Sequence, residues 1–313
     1  MKIFLSFLKL IRVPNLFIVA ITQYALQYLI ITPTFHTFAI HPVLNPLQFF
    51  LLVLCTLTVA AGGYIINDYY DIEIDQVNKS DRQILGKTIS ASSGLLIYIS
   101  SLIIGAAIAI LLAYQLSLWN LILIYPLACG VLFSYAKYFK KVALIGNLIV
   151  SLFTAFVVLI VFISEFPVIY KLPIIAHSYL LQLGFGFAIF SFLSNLFREL
   201  VKDIEDMEGD QLFGAKTAPI IYGVQKSKAI GAMILVILFG YILYFINLDF
   251  ITKHPYQHIF LGLALFSPLL FLIYQLIKAK VKADYASISK LSKIYMLLGI
   301  LILFSLMKYP IIQ

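Results

Sequence analysis

Nine stretches of about 20 apolar residues punctuate this chain, near 14–31, 46–66, 91–113, 118–136, 142–164, 174–197, 229–247, 256–277 and 291–309. Each is long enough to cross the hydrocarbon core of a bilayer as a helix. In lipid, a helix satisfies its own backbone hydrogen bonds without water. Only 12% of the residues are charged, against about 25% in an ordinary soluble domain, and mean hydropathy is +1.02. The composition excludes a soluble globular protein and predicts an all-α polytopic membrane protein of nine transmembrane helices. The first stretch follows Lys2, Lys9 and Arg12 but runs on from Pro14 to Ile31 without a small-x-small cleavage site, so it reads as a retained helix. Cys55 and Cys129 fall inside predicted spans and read as small apolar fillers, not as a disulfide or a thiolate metal site.

With a cytoplasmic amino terminus, the basic residues sort by side. Nineteen of the 22 fall before the first span or after the second, fourth, sixth and eighth, leaving Lys171, Lys253 and Lys308 on the far side. This positive-inside bias sets the expected orientation. It also gives the net charge of +8 a topological and lipid-facing explanation, so nucleic-acid binding is not implied. The sequence reads as a single domain, 1–313, with parallel four-helix pseudo-repeats at about 1–141 and 142–290 and an extra helix at 291–313.

Eleven of the fourteen acidic residues crowd into two islands, 68–81 and 199–210, both expected on the cytoplasmic face. Like charges at helical spacing repel unless a cation sits between them. In the first island Asn67, Asp71 and Asp75 are four residues apart and share one helical face, while Asp68 and Glu73 point elsewhere, as solvated or capping groups. In the second, Glu199, Asp203, Asp206 and Asp210 share a face, and Gly209 loosens the end of that ridge. Mg²⁺ prefers one or two carboxylates together with phosphate oxygens, so Asn67, Asp71, Asp75, Asp203, Asp206 and Asp210 are the candidate metal ligands. A solvated acidic face is the bland alternative for either island alone; two islands on one side of a membrane are harder to dismiss.

Cations lie close to both islands. Lys79, Arg82, Lys141, Lys202 and Lys216, with Asn67, are candidate diphosphate-binding residues, since Arg offers a fork and Lys a point charge to phosphate oxygens. Lys137, Lys140 and Lys141 can equally be topology signals alone. Tyr64, Tyr69, Tyr70, Phe133, Tyr135, Phe192 and Phe197 lie near the acidic face, where aromatic rings stabilise an allylic cation; packing is the competing reading. All five histidines map to the far side, so no histidine metal site or base is expected.

At these residues the chain resembles the UbiA superfamily of membrane prenyltransferases. Asn67, Asp71 and Asp75 match its NxxxDxxxD signature, and Asp206 with Asp210 matches its DxxxD signature. The resemblance runs from Arg12-Val13-Pro14-Asn15 through Gly146-Asn147 to Lys216-Thr217. It implies a bundle of nine helices around a central cavity open to lipid. There Asp71, Asp75, Asp206 and Asp210 act catalytically through Mg²⁺ on an isoprenyl diphosphate, and a hydrophobic acceptor takes the isoprenyl group. Arg12 and Asn15 are candidate acceptor contacts, and no obligate protein partner is evident. The wording of Lys202 to Asp210 looks closest to the geranylgeranylglyceryl phosphate branch. Ser80 and Gln83 stand where prolines commonly flank the Asp-Arg pair.

Two alternatives stay open. One is prenylation of an aromatic quinone precursor, a hydroxybenzoate or dihydroxynaphthoate. The other is a divalent-cation transporter, against which stands the expectation that no span carries an acid at mid-depth.

Overall fold

The computed structural model describes residues 2–78, 83–247 and 255–306. Among them nearly every residue is helical, in thirteen α-helices, and no strand forms. α1 (Lys2–Leu10) leads to α2 (Val13–Ala25), a π turn over Leu26–Ile31, and α3 (Thr32–Thr37); the last three make one continuous apolar rod. α4 (Pro46–Tyr70) opens on a capping box, in which the Asn45 side chain accepts from the Gln48 backbone and the Gln48 side chain accepts from that of Asn45. α5 (Ile72–Asn78) follows it, and then α6 (Ala91–Leu116) starts where the Ser90 hydroxyl accepts from Ser93 N–H. After α7 (Ile124–Lys137) come α8 (Ile145–Ile169) and α9 (Ile174–Leu212). The chain closes with α10 (Ala218–Tyr222), α11 (Val224–Ile246), α12 (Pro255–Lys278) and α13 (Lys282–Leu306).

Among the described residues, seven helices are long and apolar enough to cross a membrane, in place of the nine expected from the sequence. The shortfall falls at the fourth and ninth expected spans. Trp119–Leu123 is a 3₁₀ turn, which leaves α7 only 14 residues, or about 21 Å at helical rise. α13 carries Lys282, Asp284, Lys290 and Lys293 in its first half, and the expected span at 291–309 runs past its last described residue. The protein is an integral membrane protein, and exposed leucines, isoleucines and phenylalanines along its helices give it the lipid-facing surface such a protein needs.

The chain forms two compact units. The first comprises Met1–Ile21, Val43–Val142 and Glu208–Ala215. Its core joins Leu10 of α1, Ile65 and Ile66 of α4, Leu85 and Ile89 of the connecting loop, Tyr98 of α6 and Ala136 of α7. α4 and α6 run against each other over most of their length, and Gly105 of α6 makes the close approach possible: a β-carbon there would strike the Thr58 hydroxyl and the Tyr125 ring. Tyr125 in turn donates to the Leu102 carbonyl at 2.7 Å.

The second unit comprises Thr22–Pro42, Ala143–Met207 and Lys216–Gln313. Gly186 and Gly299 there leave room for the rings of Phe245 and Phe190. It also holds a polar contact that the sequence reading did not expect. α8 extends past the predicted end at 164, so Glu165 lies inside the helix, fully buried, and accepts from Gln27 Nε2 at 3.0 Å. Gln27 sits on the π turn, a geometry that widens a helix by one residue and re-aims its side chains. Glu165 lies four residues from the end of α8, away from the middle of the span.

The Gly105 contact sets an expected outcome. Gly105→Ala pushes a methyl group into Thr58 and Tyr125, and should destabilise the first unit by about 1–3 kcal/mol; thermal unfolding of the purified protein in detergent checks it, with an unchanged midpoint counting against the packing described.

Candidate active site

α4 ends where its chemistry begins. Asp71 is the residue that closes the helix, with φ −100° and ψ 4°, and α5 starts immediately after it. The sequence reading placed Asn67, Asp71 and Asp75 on one unbroken helical face, whereas the helix breaks at the middle residue. Hydrogen bonding bridges the break nonetheless: Asp71 N–H donates to Asn67 C=O at 3.0 Å, and Asp75 N–H donates to Asp71 C=O at 2.8 Å. The three residues therefore keep their four-residue register across two helices.

The Asn67 side chain donates from Nδ2 to Asp71 Oδ2 at 2.9 Å, and its own Oδ1 is buried with no hydrogen-bond partner. Burying an amide oxygen without a partner is costly. Beside a carboxylate, such an oxygen is a hard donor suited to Mg²⁺, which binds through one or two carboxylates and takes its remaining ligands from water and phosphate. The residues present thus fit a divalent cation. Among the described residues, no group of three or more His, Cys, Asp or Glu side chains stands ready to hold a metal ion.

Three basic residues stand at the end of α7 and in the turn after it, and the structure separates their roles. Lys140, on the 3₁₀ turn Phe139–Lys141, places its ammonium 2.5 Å from Asp71 Oδ1, with side chains only 10% and 17% exposed. Lys137 is exposed and lies over the rings of Phe133 and Tyr138, where the Tyr138 hydroxyl holds its ammonium above the usual lysine range. Lys141 is half-buried at the end of the turn. The residue that reaches the acidic motif is therefore Lys140, which spacing alone could not single out from its neighbours.

Arg12 lies at the junction of α1 and α2 with φ 54°, a left-handed conformation that costs a non-glycine residue about 1–2 kcal/mol. Its guanidinium pairs with Asp68 Oδ1 at 2.7 Å and rests 4.7 Å from the centre of the Tyr64 ring. Asp68, expected to be solvated or a cap, is instead the carboxylate that orients Arg12. Asn15 donates its backbone N–H to the Arg12 carbonyl at 2.7 Å. Beside them Tyr69, Tyr70 and Phe133 make edge-to-face ring contacts.

The second acidic motif lies on the last turns of α9. That helix has 39 residues, about 58 Å, roughly twice the thickness of the hydrocarbon core. Asp203 accepts from Asn147 Nδ2 at 2.9 Å, and Asn147 is nearly buried one turn into α8. Leu144, which precedes α8, has φ 62° and is, like Arg12, a left-handed non-glycine residue. Asp206 is half-buried, Lys216 exposed, and Lys202 interacts with Glu199, itself bridged by Arg198 at 2.5 Å. The division between the two compact units falls inside α9, so that Asp203 and Asp206 belong to the second unit and Asp210 to the first, with Asn67, Asp71 and Asp75. Lys79 and Arg82 lie outside the described residues, as does Asp81. Phe197, proposed near the cation, is fully buried in the packing of the second unit.

Residues 29–305 match the UbiA prenyltransferase family. The chain belongs to that family. As a UbiA-family member it is an intramembrane prenyltransferase. It is 37% identical over 180 residues to a digeranylgeranylglyceryl phosphate synthase of Saccharolobus solfataricus, a match spanning 58% of each chain. With the corresponding synthase of Sulfurisphaera tokodaii it shares 33% identity over 274 residues, 85% of this chain and 87% of that one. A solved digeranylgeranylglyceryl phosphate synthase structure superposes with a TM-score of 0.66 at 26% identity, covering 99% and 100% of the two chains. The fold is also that of a UbiA homolog from Archaeoglobus fulgidus bound to GPP and Mg²⁺, with a TM-score of 0.57, 15% identity, and 96% and 99% coverage.

The Asn147 contact generates a test within the UbiA site. Asn147→Leu keeps the branched shape but leaves Asp203 without that donor, and prenyl transfer should fall by about 10- to 100-fold, the usual loss when the partner that orients a metal-binding group is removed. Steady-state kinetics on protein of unchanged folded content checks this, and near-normal turnover would assign Asn147 to packing alone.

Proposed function

We propose that the chain transfers a geranylgeranyl group from its diphosphate to geranylgeranylglyceryl phosphate, using Mg²⁺, in the synthesis of ether lipids. The observation that carries the reading is the pairing of Asn67 with Asp71 at the end of an apolar helix, with the Asn67 carbonyl oxygen left for a cation. It is supported by relatives named as digeranylgeranylglyceryl phosphate synthases and by a solved UbiA homolog holding Mg²⁺ and GPP.

In this reading Asn67, Asp71, Asp75, Asp203, Asp206 and Asp210 hold the metal, which neutralises charge on the departing diphosphate and so favours C–O cleavage. Lys140, Lys141 and Lys202, with Lys79, Arg82 and Lys216, supply cations for the same phosphate oxygens. Tyr69, Tyr70 and Phe133 offer ring faces to the positive charge on the allylic carbon. Arg12, held by Asp68 and Tyr64, is a preoriented fork for the phosphate of the acceptor. The glyceryl hydroxyl then attacks the allylic carbon and releases its proton to bulk water or diphosphate. The amino terminus and both acidic motifs face the cytoplasm, following the distribution of lysine and arginine.

The test is transfer itself. Purified protein given radiolabelled geranylgeranyl diphosphate and Mg²⁺ should label geranylgeranylglyceryl phosphate. Labelling of an aromatic acid instead would move the enzyme to quinone synthesis, and Mg²⁺ flux in proteoliposomes without prenyl substrate would revive a transport role. Asp71→Ala and Asp210→Ala should each cut turnover by orders of magnitude while membrane insertion is unchanged, and Glu73→Ala, exposed and off the ridge, should be mild. If Asp71→Ala retains near-normal activity at limiting Mg²⁺, the metal assignment is wrong.

A further inference from the structure

We propose that Lys140 is a counter-ion latch: its ammonium holds Asp71 while the site lacks a divalent cation, and passes to the diphosphate when donor and metal arrive together. The inference rests on the metal reading of Asp71 given above and concerns how that site is loaded.

The contact is closer and drier than a surface ion pair. Lys140 Nζ lies 2.5 Å from Asp71 Oδ1, with both side chains less than one-fifth exposed. Exposed pairs contribute little because water and salt screen them; this one is sheltered from both. Asp71 Oδ2 is meanwhile taken by Asn67 Nδ2 at 2.9 Å, so each oxygen of the carboxylate already has a donor. A dication approaching the buried Asn67 Oδ1 must share Asp71 with an ammonium, and the two cations repel at short range.

Two features suit Lys140 to exchange partners. It projects from a single 3₁₀ turn, Phe139–Lys141, so the backbone can stay fixed while its four-carbon stem swings. Its neighbours do not share the contact, for Lys137 lies on the rings of Phe133 and Tyr138. Diphosphate oxygens offer the ammonium a new anionic partner and free Asp71 for the metal. Metal and diphosphate then favour each other's binding, and linkage requires the effect to be reciprocal. An enzyme so built stays unloaded in free Mg²⁺ and closes its charge ledger when the donor is present.

The experiment measures binding, not turnover. Mn²⁺ affinity of the full-length protein in detergent is read by electron paramagnetic resonance, with and without inorganic pyrophosphate. Wild type should bind Mn²⁺ weakly alone and at least about tenfold more tightly with pyrophosphate, equivalent to about 1.4 kcal/mol of coupling. In Lys140→Gln, Mn²⁺ alone should bind about tenfold more tightly than in wild type, and the enhancement by pyrophosphate should shrink to about two- or threefold. Lys140→Arg, which keeps the charge, should retain the coupling. A purely structural lysine would lower thermal stability on substitution without strengthening Mn²⁺ binding. Mn²⁺ binding that Asp71→Asn abolishes but Lys140→Gln leaves unchanged overturns the latch alone; no Mn²⁺ binding by any variant, with or without pyrophosphate, overturns the metal reading with it.

Discussion

A carboxylate at the edge of a low-dielectric bundle is stable only when a donor or a cation meets it, and the acidic residues of this protein are placed accordingly. Asp68 is met by Arg12, Asp71 by Lys140 and Asn67, Asp203 by Asn147, and Glu165 by Gln27. Apart from Asn67, which is four residues from Asp71 on the same helix, the partners come from segments far apart in sequence, so each of those pairs also ties two segments together. α4, α7 and the turn after α7 must all be in place before Asp71 acquires its two donors.

Much of this was legible beforehand. Unbroken apolar runs leave a chain little choice but helix, so the helical class and most spans could be read directly. Four-residue spacing brought Asn67 to Asp71 before any coordinates were known. Local breaks were harder to see. The 3₁₀ turn at Trp119–Leu123, the π turn at Leu26–Ile31 and the break at Asp71 leave hydropathy unaltered, because they change the path of the backbone and not the polarity of its side chains.

Long-range partners were equally hidden. Nothing near Asp71 in sequence points to Lys140, 69 residues away, and nothing within α8 points Glu165 toward Gln27. One signal did exist for Asn147: Gly146-Asn147 at the head of a strongly apolar helix is part of the run that carries the family resemblance. The left-handed backbone at Arg12 and Leu144 was not legible, since neither residue type favours that conformation.

The length of α9 has a mechanical consequence. One unbroken helix reaches from the apolar interior of the membrane to Asp203, Asp206 and Asp210, so those carboxylates ride at a height fixed by how deeply the rod is seated. A thicker or thinner bilayer shifts or tilts that rod, and the reach from its acidic tip to a phosphate at the interface changes with it. The lipid that surrounds the enzyme is in this sense a part of its ruler.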